Sequence, residues 1–354
     1  MTTSNTNPRA SLELGRASFR NLSAYDPDIQ PCRIDLSDNT NLWGAPPAAR
    51  SAVEFADSPT LTRYPAPYSP ELTRALAGYL GVDANMVIAG CGSDDLLDSA
   101  IRAFGEAGDK LAHFDPTFGM IRVFATVNGL SVTAVPARNG EGVEALLGAD
   151  ARVIYLCSPN NPTGEVLDSV LIESIVRHAQ GLVILDEAYA EFAGVSSVGL
   201  LARHENLLIT RTMSKAFGLA GLRIGYAAGS PAIVREVEKS RGPYKVTSFA
   251  ERAARAAIEH DREWVEEKVA EVRTNRARFT ERLRGLGLEP IESSANFILV
   301  PVVDSRHTGA RMARSGVAVR QLENLTGIGD SLRISIGPWP MMEECLAVLE
   351  AALQ

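Results

Sequence analysis

The sequence predicts an α/β protein: a mostly parallel sheet between helical layers, followed by a second, smaller unit. Three observations predict it. Short apolar runs of strand length alternate with helical patterns through the middle of the chain. Polar residues with chemical potential stand just past the carboxyl ends of several runs, where open parallel sheets bind their ligands. From about Arg252 the pattern becomes long, charged and helical, which marks a change of unit.

The elements follow in order. A polar arm ends near Pro31, and candidate strands then run over Val87 to Ala89, Lys110 to Phe114, Ser131 to Val135, Val153 to Leu156, Leu182 to Leu185, Leu207 to Thr210 and Arg223 to Ala228. Helices fall between them; over Asp94 to Phe104, residues Leu97, Ala100, Ile101 and Phe104 share one face. A connecting helix is expected over Arg252 to Leu283, with Arg255, Glu267 and Arg273 exposed. The smaller unit should hold strands at Ala295 to Val300 and around Leu332 to Ile336, and a final helix over Met342 to Leu353.

Composition narrows the function. The 354 residues are 45% hydrophobic and 22% charged, enough to bury a large core. A net charge of −8 argues against nucleic acid or an anionic membrane as a general partner, so an anionic ligand would need local arginines. The cysteines, Cys32, Cys91, Cys157 and Cys345, form no CxxC pair and fit a reducing compartment. The dispersed histidines show no metal-ligand spacing, so no metal is expected. No signal-peptide core and no apolar run of about 20 residues is present, and a cytoplasmic location is expected.

Four motifs carry chemistry. Lys215 stands in Thr212-Met-Ser214-Lys215-Ala-Phe-Gly-Leu-Ala-Gly-Leu-Arg223-Ile-Gly225, among small and apolar residues. The chain has few lysines, and one held away from water loses its proton easily and becomes an amine nucleophile; a lysine snorkelling from a buried turn is the plain alternative. Ile88-Ala-Gly-Cys-Gly92-Ser93-Asp94-Asp95 reads as a strand, a glycine turn and a helix start, an anion cradle for phosphate, although Ser93 or Asp94 could be only a helix cap. Asp186 ends an apolar strand, where a carboxylate needs a cation such as a protonated ring nitrogen; Tyr189 lies one turn on. Ser158-Pro-Asn160-Asn161-Pro-Thr-Gly164 is a turn at another strand's carboxyl end, where an amide could donate to a ligand oxygen.

Taken with Pro116-Thr-Phe118 and Asp186-Glu-Ala-Tyr189, these motifs in this order resemble the pyridoxal-phosphate aminotransferases of fold type I, classes I and II, and within them the histidinol-phosphate aminotransferases. The resemblance extends from Leu22-Ser-Ala-Tyr25 to Leu332-Arg-Ile-Ser-Ile-Gly337. It implies a three-layer α/β/α large domain on a seven-stranded, mostly parallel sheet and a smaller α+β domain. The corresponding boundaries are an arm at 1–45 that joins the small domain, a cofactor domain at 46–250 and a small domain at 251–354.

For the cofactor, pyridoxal 5'-phosphate, the resemblance implies that Lys215 condenses with the aldehyde and later moves the substrate's proton. Asp186 would hold the pyridine nitrogen protonated, Asn161 and Tyr189 would bond the phenolic oxygen, and Phe118 would stack on the ring. Gly92, Ser93, Asp94, Thr212, Ser214 and Arg223 would hold the phosphate, joined by Tyr64 from the neighbouring subunit of a homodimer. Arg320 and Arg333 match the arginines that hold the substrate's anionic group, and Tyr25 and Asn39 match positions near its tail. A cis bond is implied at Asn161-Pro162. The family's Asn-Glu-Asn-Pro reads Asn39-Thr40-Asn41-Leu42 here, without the acid and the proline.

The expected activity is transfer of an amino group between histidinol phosphate or an amino acid and 2-oxoglutarate. Decarboxylation of a phosphorylated amino acid, or a specialised-metabolism reaction on the same cofactor, is the alternative, since fold does not fix reaction type. A ligand-sensing regulatory module of this fold is the alternative outside catalysis; no basic helix-turn-helix precedes the motifs.

Overall fold

The runs Val-Ile-Tyr-Leu-Cys at 153–157 and Leu-Val-Ile-Leu-Asp at 182–186 are buried at every position. Such segments are stable only in a sheet covered on both faces. A computed structural model, which describes residues 15–20, 22–24, 32–55, 57–136 and 140–354, builds that sheet. Its strands are β1 (Ile34–Leu36), β2 (Val87–Cys91), β3 (Lys110–Phe114), β4 (Ser131–Val135), β5 (Val153–Cys157), β6 (Leu182–Asp186), β7 (Leu207–Thr212), β8 (Ile224–Gly229), β9 (Phe297–Pro301), β10 (Val317–Leu325) and β11 (Gly329–Ser335).

Seven strands form one sheet in the order β2-β8-β7-β6-β5-β3-β4, in which β8 alone runs antiparallel to its neighbours. Alternate residues feed two cores. Ile154, Leu156, Val183 and Leu185 bury on one face, and Val153, Tyr155, Leu182 and Ile184 bury on the other with Leu96, Leu97 and Ile101 of the helix Gly92–Phe104. The second sheet has the order β1-β10-β11-β9, so residues 34–36 of the N-terminal region pair in parallel with β10.

The strands predicted in the large sheet all form, with corrections at their ends. Arg223 lies outside β8: it takes the left-handed conformation, φ 52°, and ends a short 3-10 turn. The helix expected over Arg252 to Leu283 is two helices, Ser248–His260 and Arg262–Gly285. The break is at Asp261, whose carboxylate leaves the helical pattern to accept the backbone N–H groups of Ala48 and Ala49, each at 3.0 Å, at the start of the helix Pro47–Glu54. Helix ends leave such N–H groups unpaired, so an acid brought there by tertiary packing caps them. The last helix starts earlier than expected, at Trp339, just after Pro338. Tyr25 and most of the polar arm lie outside the described residues.

Candidate active site

Parallel strands that end together place their following residues in one crevice. Asp186 closes β6, Ser158–Gly164 follows β5, and the segment Met213–Leu222 links β7 to β8. The carboxyl ends of β1 and β11 face them from the smaller sheet, because Arg333 Nη1 donates to Asn161 Oδ1 at 2.6 Å and Nη2 to the Ser37 carbonyl at 2.9 Å. One guanidinium thus spans three segments.

Lys215 is half-buried, and its Nζ donates to the Asp38 carbonyl at 2.9 Å. Burial pulls its pKa down to about 8, and the positive charge of Arg333 adds to the effect. Asp186 is 4% exposed. Among the described residues no basic side chain pairs with it; its oxygens take the Tyr155 hydroxyl at 2.9 Å and the Ala188 N–H at 3.2 Å. Burial pushes this carboxyl up to about 6, against the pull of the Tyr155 hydrogen bond. A buried acid so placed is stabilised as an anion once a cation arrives beside it.

Tyr189 is buried and accepts a hydrogen bond on its hydroxyl from Asn39 Nδ2 at 3.1 Å. Burial raises its pKa to about 12, so it stays a neutral phenol that can donate. Asn39 has φ 59° and is held by Ser335, to whose Oγ its N–H donates at 2.9 Å, and by Asn296, whose Nδ2 donates to its carbonyl at 3.0 Å. Of the adjacent asparagines, Asn160 is structural: it accepts from Thr117 Oγ1 and donates to the Pro116 carbonyl. Asn161 has its oxygen on Arg333, which leaves the amide nitrogen as the donor toward the crevice. The Asn161-Pro162 bond is cis, as are Asp115-Pro116 and Ser158-Pro159.

The helix Gly92–Phe104 begins at the glycine turn, with no side-chain cap from Cys91. Neither Ser93 nor Asp94 caps it; Asp95 turns back to the Cys91 N–H at 3.1 Å and is pinned by Arg241 at 3.1 Å and Lys245 at 2.9 Å. Asp94 points elsewhere, 3.6 Å from Arg223, and burial raises its pKa against the opposing charges of Arg223 and Lys215. Gly92 has φ +80°, and a methyl group there would come 2.7 Å from Arg223 Nη2. A side chain on Gly225 would stand 2.2 Å from the Ser93 nitrogen. The bare backbone, the helix start and the guanidinium form a cradle only glycines allow, and it suits a phosphate. Thr212 and Ser214 are buried nearby, with the Ser214 N–H donating to Thr212 Oγ1 at 3.1 Å.

The remaining residues fall into place less directly. Phe118 is half-buried against the core under the cradle helix. Arg320 is the register partner of Arg333 across β10 and β11, so the two side chains leave the same sheet face. Tyr64 is 84% exposed and stacks on Tyr244 with centroids 5.0 Å apart. Sequence reasoning missed Tyr155, the Asp38 carbonyl and the supports of Asn39. None of these had a signal in the sequence: Tyr155 lies in a strand buried at every position and reads as a core residue, and a backbone carbonyl carries none. Among the described residues there is no metal-type cluster, and no helix is long and apolar enough to cross a membrane.

Comparison with known proteins agrees with this geometry. The model of the aminotransferase class I and II family matches residues 33–351. Histidinol-phosphate aminotransferase of Microcystis aeruginosa is 33% identical over 340 residues, 95% of this chain and 97% of that one. Histidinol-phosphate aminotransferase 2 of Ralstonia nicotianae is 36% identical over 334 residues, 90% and 88% of the two chains. The fold is shared with the histidinol-phosphate aminotransferase of Sinorhizobium meliloti, solved with pyridoxal-5'-phosphate, at a TM-score of 0.87, 24% identity, and coverage of 99% of this chain and 98% of that one. A crevice that gathers a depressed lysine, a buried acid and a glycine-built anion cradle, on a chain matched by the family along almost its whole length, belongs to an aminotransferase of class I and II.

Proposed function

We propose that the protein is a pyridoxal-phosphate-dependent aminotransferase of the histidinol-phosphate type, acting as a homodimer in the cytoplasm. The observation that carries the site assignment is that Lys215, depressed to about 8, and Asp186, buried without a basic partner among the described residues, both feel the charge of Asp94 at the start of the cradle helix. A lysine free of its proton near neutral pH and an acid awaiting a positive charge are complementary demands of one cofactor.

Bound pyridoxal phosphate supplies an aldehyde for an amine and a pyridine ring that withdraws electrons when its nitrogen is protonated. Gly92, Ser93, Asp94, Thr212, Ser214 and Arg223 would hold its phosphate, and Asn161 and Tyr189 would donate to the ring's oxygen. Phe118 would lie against the ring, and Asp186 would keep the ring nitrogen protonated. Lys215 Nζ would be the amine that the aldehyde takes up and the base that moves the proton of the substrate's amine-bearing carbon. Arg333 holds the substrate's acid, and Arg320 beside it adds a second guanidinium for a carboxylate or phosphate. Asn39 would flank the substrate, and the second amino acceptor would be 2-oxoglutarate.

Lys215→Ala tests the assignment. The wild type should show a visible-region band that borohydride bleaches while fixing the cofactor to the chain, and the variant should lose the covalent label with activity reduced at least about 1,000-fold. A covalently labelled variant would remove Lys215 from its role. A half-reaction screen with histidinol phosphate and aromatic amino acids selects the donor, which matters because Thr40 stands where the family's acid does and its hydroxyl is held by Asp38 at 2.9 Å. Release of carbon dioxide from a phosphorylated amino acid would replace transamination by decarboxylation.

A further inference from the structure

We propose that Tyr155 is a positioning residue for Asp186: the hydroxyl it donates to Oδ2 fixes the orientation of the carboxylate and holds it as an anion for the ring nitrogen of the cofactor. The inference rests on the reading of the site above and extends it to a residue that touches neither substrate nor cofactor.

Strand register makes the contact. In β5 and β6, Cys157 lies opposite Asp186 and Tyr155 opposite Ile184, so Tyr155 sits diagonally from Asp186 on the same face. Long aromatic side chains reach across such a diagonal. The hydroxyl meets Oδ2 at 2.9 Å, and the ring is 1% exposed in the core under the cradle helix, which leaves it no other rotamer to visit. The Ala188 N–H donates to Oδ1, so the two oxygens are held by donors from different segments, with Thr210 of β7 also against the carboxylate.

The chemistry of the donor matters as much as its place. Asp186 faces Tyr155 and Cys157 from β5, Thr210 from β7, Tyr189 beyond β6 and Asp94 from the cradle helix. None of these is a cation, and Asp94 opposes a second negative charge. An arginine or lysine here would neutralise the acid and compete with the pyridinium; a phenol stabilises the anion and leaves its charge available. Burial raises the Tyr155 phenol well above its ordinary value, so it remains a donor throughout the working range. A merely structural reading also exists, since a buried hydroxyl needs some partner, and the experiment must separate the two.

The test compares wild type, Tyr155→Phe, Asp186→Asn and the double variant as holoenzymes loaded with pyridoxal phosphate labelled with nitrogen-15 in the ring. Tyr155→Phe keeps the ring that fills the core, so its fold is expected to be intact by circular dichroism. The ring-nitrogen resonance should indicate a protonated nitrogen in wild type. In Tyr155→Phe it should move toward the unprotonated position, with a titration midpoint displaced by about one pH unit and cofactor dissociation about 10-fold weaker. In the Asp186→Asn background the same substitution should change neither. An unmoved resonance in Tyr155→Phe, or an equal shift with Asp186 absent, overturns the inference while leaving the cofactor assignment in place. A wild type that takes up no cofactor overturns both.

Discussion

Asp186 and Lys215 pull the stability of the cofactor-free chain in opposite directions as pH changes. Burial raises Asp186 from 3.8 to about 6, so the folded chain favours its neutral form. That contribution is fully present below the unfolded value and is lost as pH rises through about 6. It amounts to about 2 to 3 kcal/mol. Lys215 falls from 10.5 to about 8, so between these values the unfolded chain binds more protons and stability rises with pH. Thermal unfolding of the apoprotein should therefore show a decline between about pH 4 and about pH 6 that Asp186→Asn flattens. A decline of unchanged depth in that variant would mean that another group titrates. Lys215 should likewise be labelled by amine reagents with a midpoint near about 8 in the apoprotein, and a midpoint near an ordinary lysine's would contradict its burial.

Two contacts between elements can be tested by substitution, one away from the chemistry and one beneath the cradle. Asp261 interrupts what would be one long helix and accepts two N–H groups at the start of the helix Pro47–Glu54. Asp261→Ala leaves those donors unpaired and should cost about 1 to 3 kcal/mol, read as a lower denaturant midpoint with catalysis preserved in the folded fraction. Helicity would favour the alanine, so a gain in stability would show that propensity outweighs the cap. Gly225 is different in kind. Its Cβ position is filled by the backbone of Gly92 and Ser93 at 2.2 Å, so Gly225→Ala must push β8 off the cradle. Weakened binding of pyridoxal phosphate by the apoprotein, about 10-fold or more, is expected by fluorescence titration; unaltered affinity would show that the cradle does not depend on that approach.

At the scale of the whole molecule, Tyr64 is exposed on the single chain together with Phe55 and Leu61, in a region that also displays Tyr68 and Tyr244. Exposed apolar and aromatic side chains grouped in this way fit the homodimer proposed above. If Tyr64 reaches the phosphate of a partner subunit, two crippled chains can rescue each other: a hybrid of Tyr64→Ala with Lys215→Ala contains one site that carries both intact residues. Mixed and refolded, the pair should recover up to about a quarter of wild-type activity, taking random assortment with one competent site per hybrid. No recovery in a mixture shown by sedimentation to form hybrids would place Tyr64 in its own subunit's site or outside any site.

Local patterning determined the large sheet. The apolar runs of β5 to β8 were legible because a strand buried on both faces has no polar alternation and is short, and the turn residues around Asn161 and Gly92 punctuate the sheet. The candidate site was legible as an ordered series of motifs, because Lys215, Asp186 and Gly92 each carry chemistry that an ordinary core position does not need. Tertiary structure alone decided the rest. The break at Asp261 depends on where the helix Pro47–Glu54 lies, which local propensity does not encode. Pairing of Ile34–Leu36 with β10 joins segments nearly 300 residues apart in sequence, and a three-residue strand has too little pattern to announce its partner. Tyr155 reads as one more apolar core residue until the register of β5 against β6 sets its hydroxyl on Asp186, since the reach of a side chain across a sheet is fixed by strand pairing and by nothing within the strand itself.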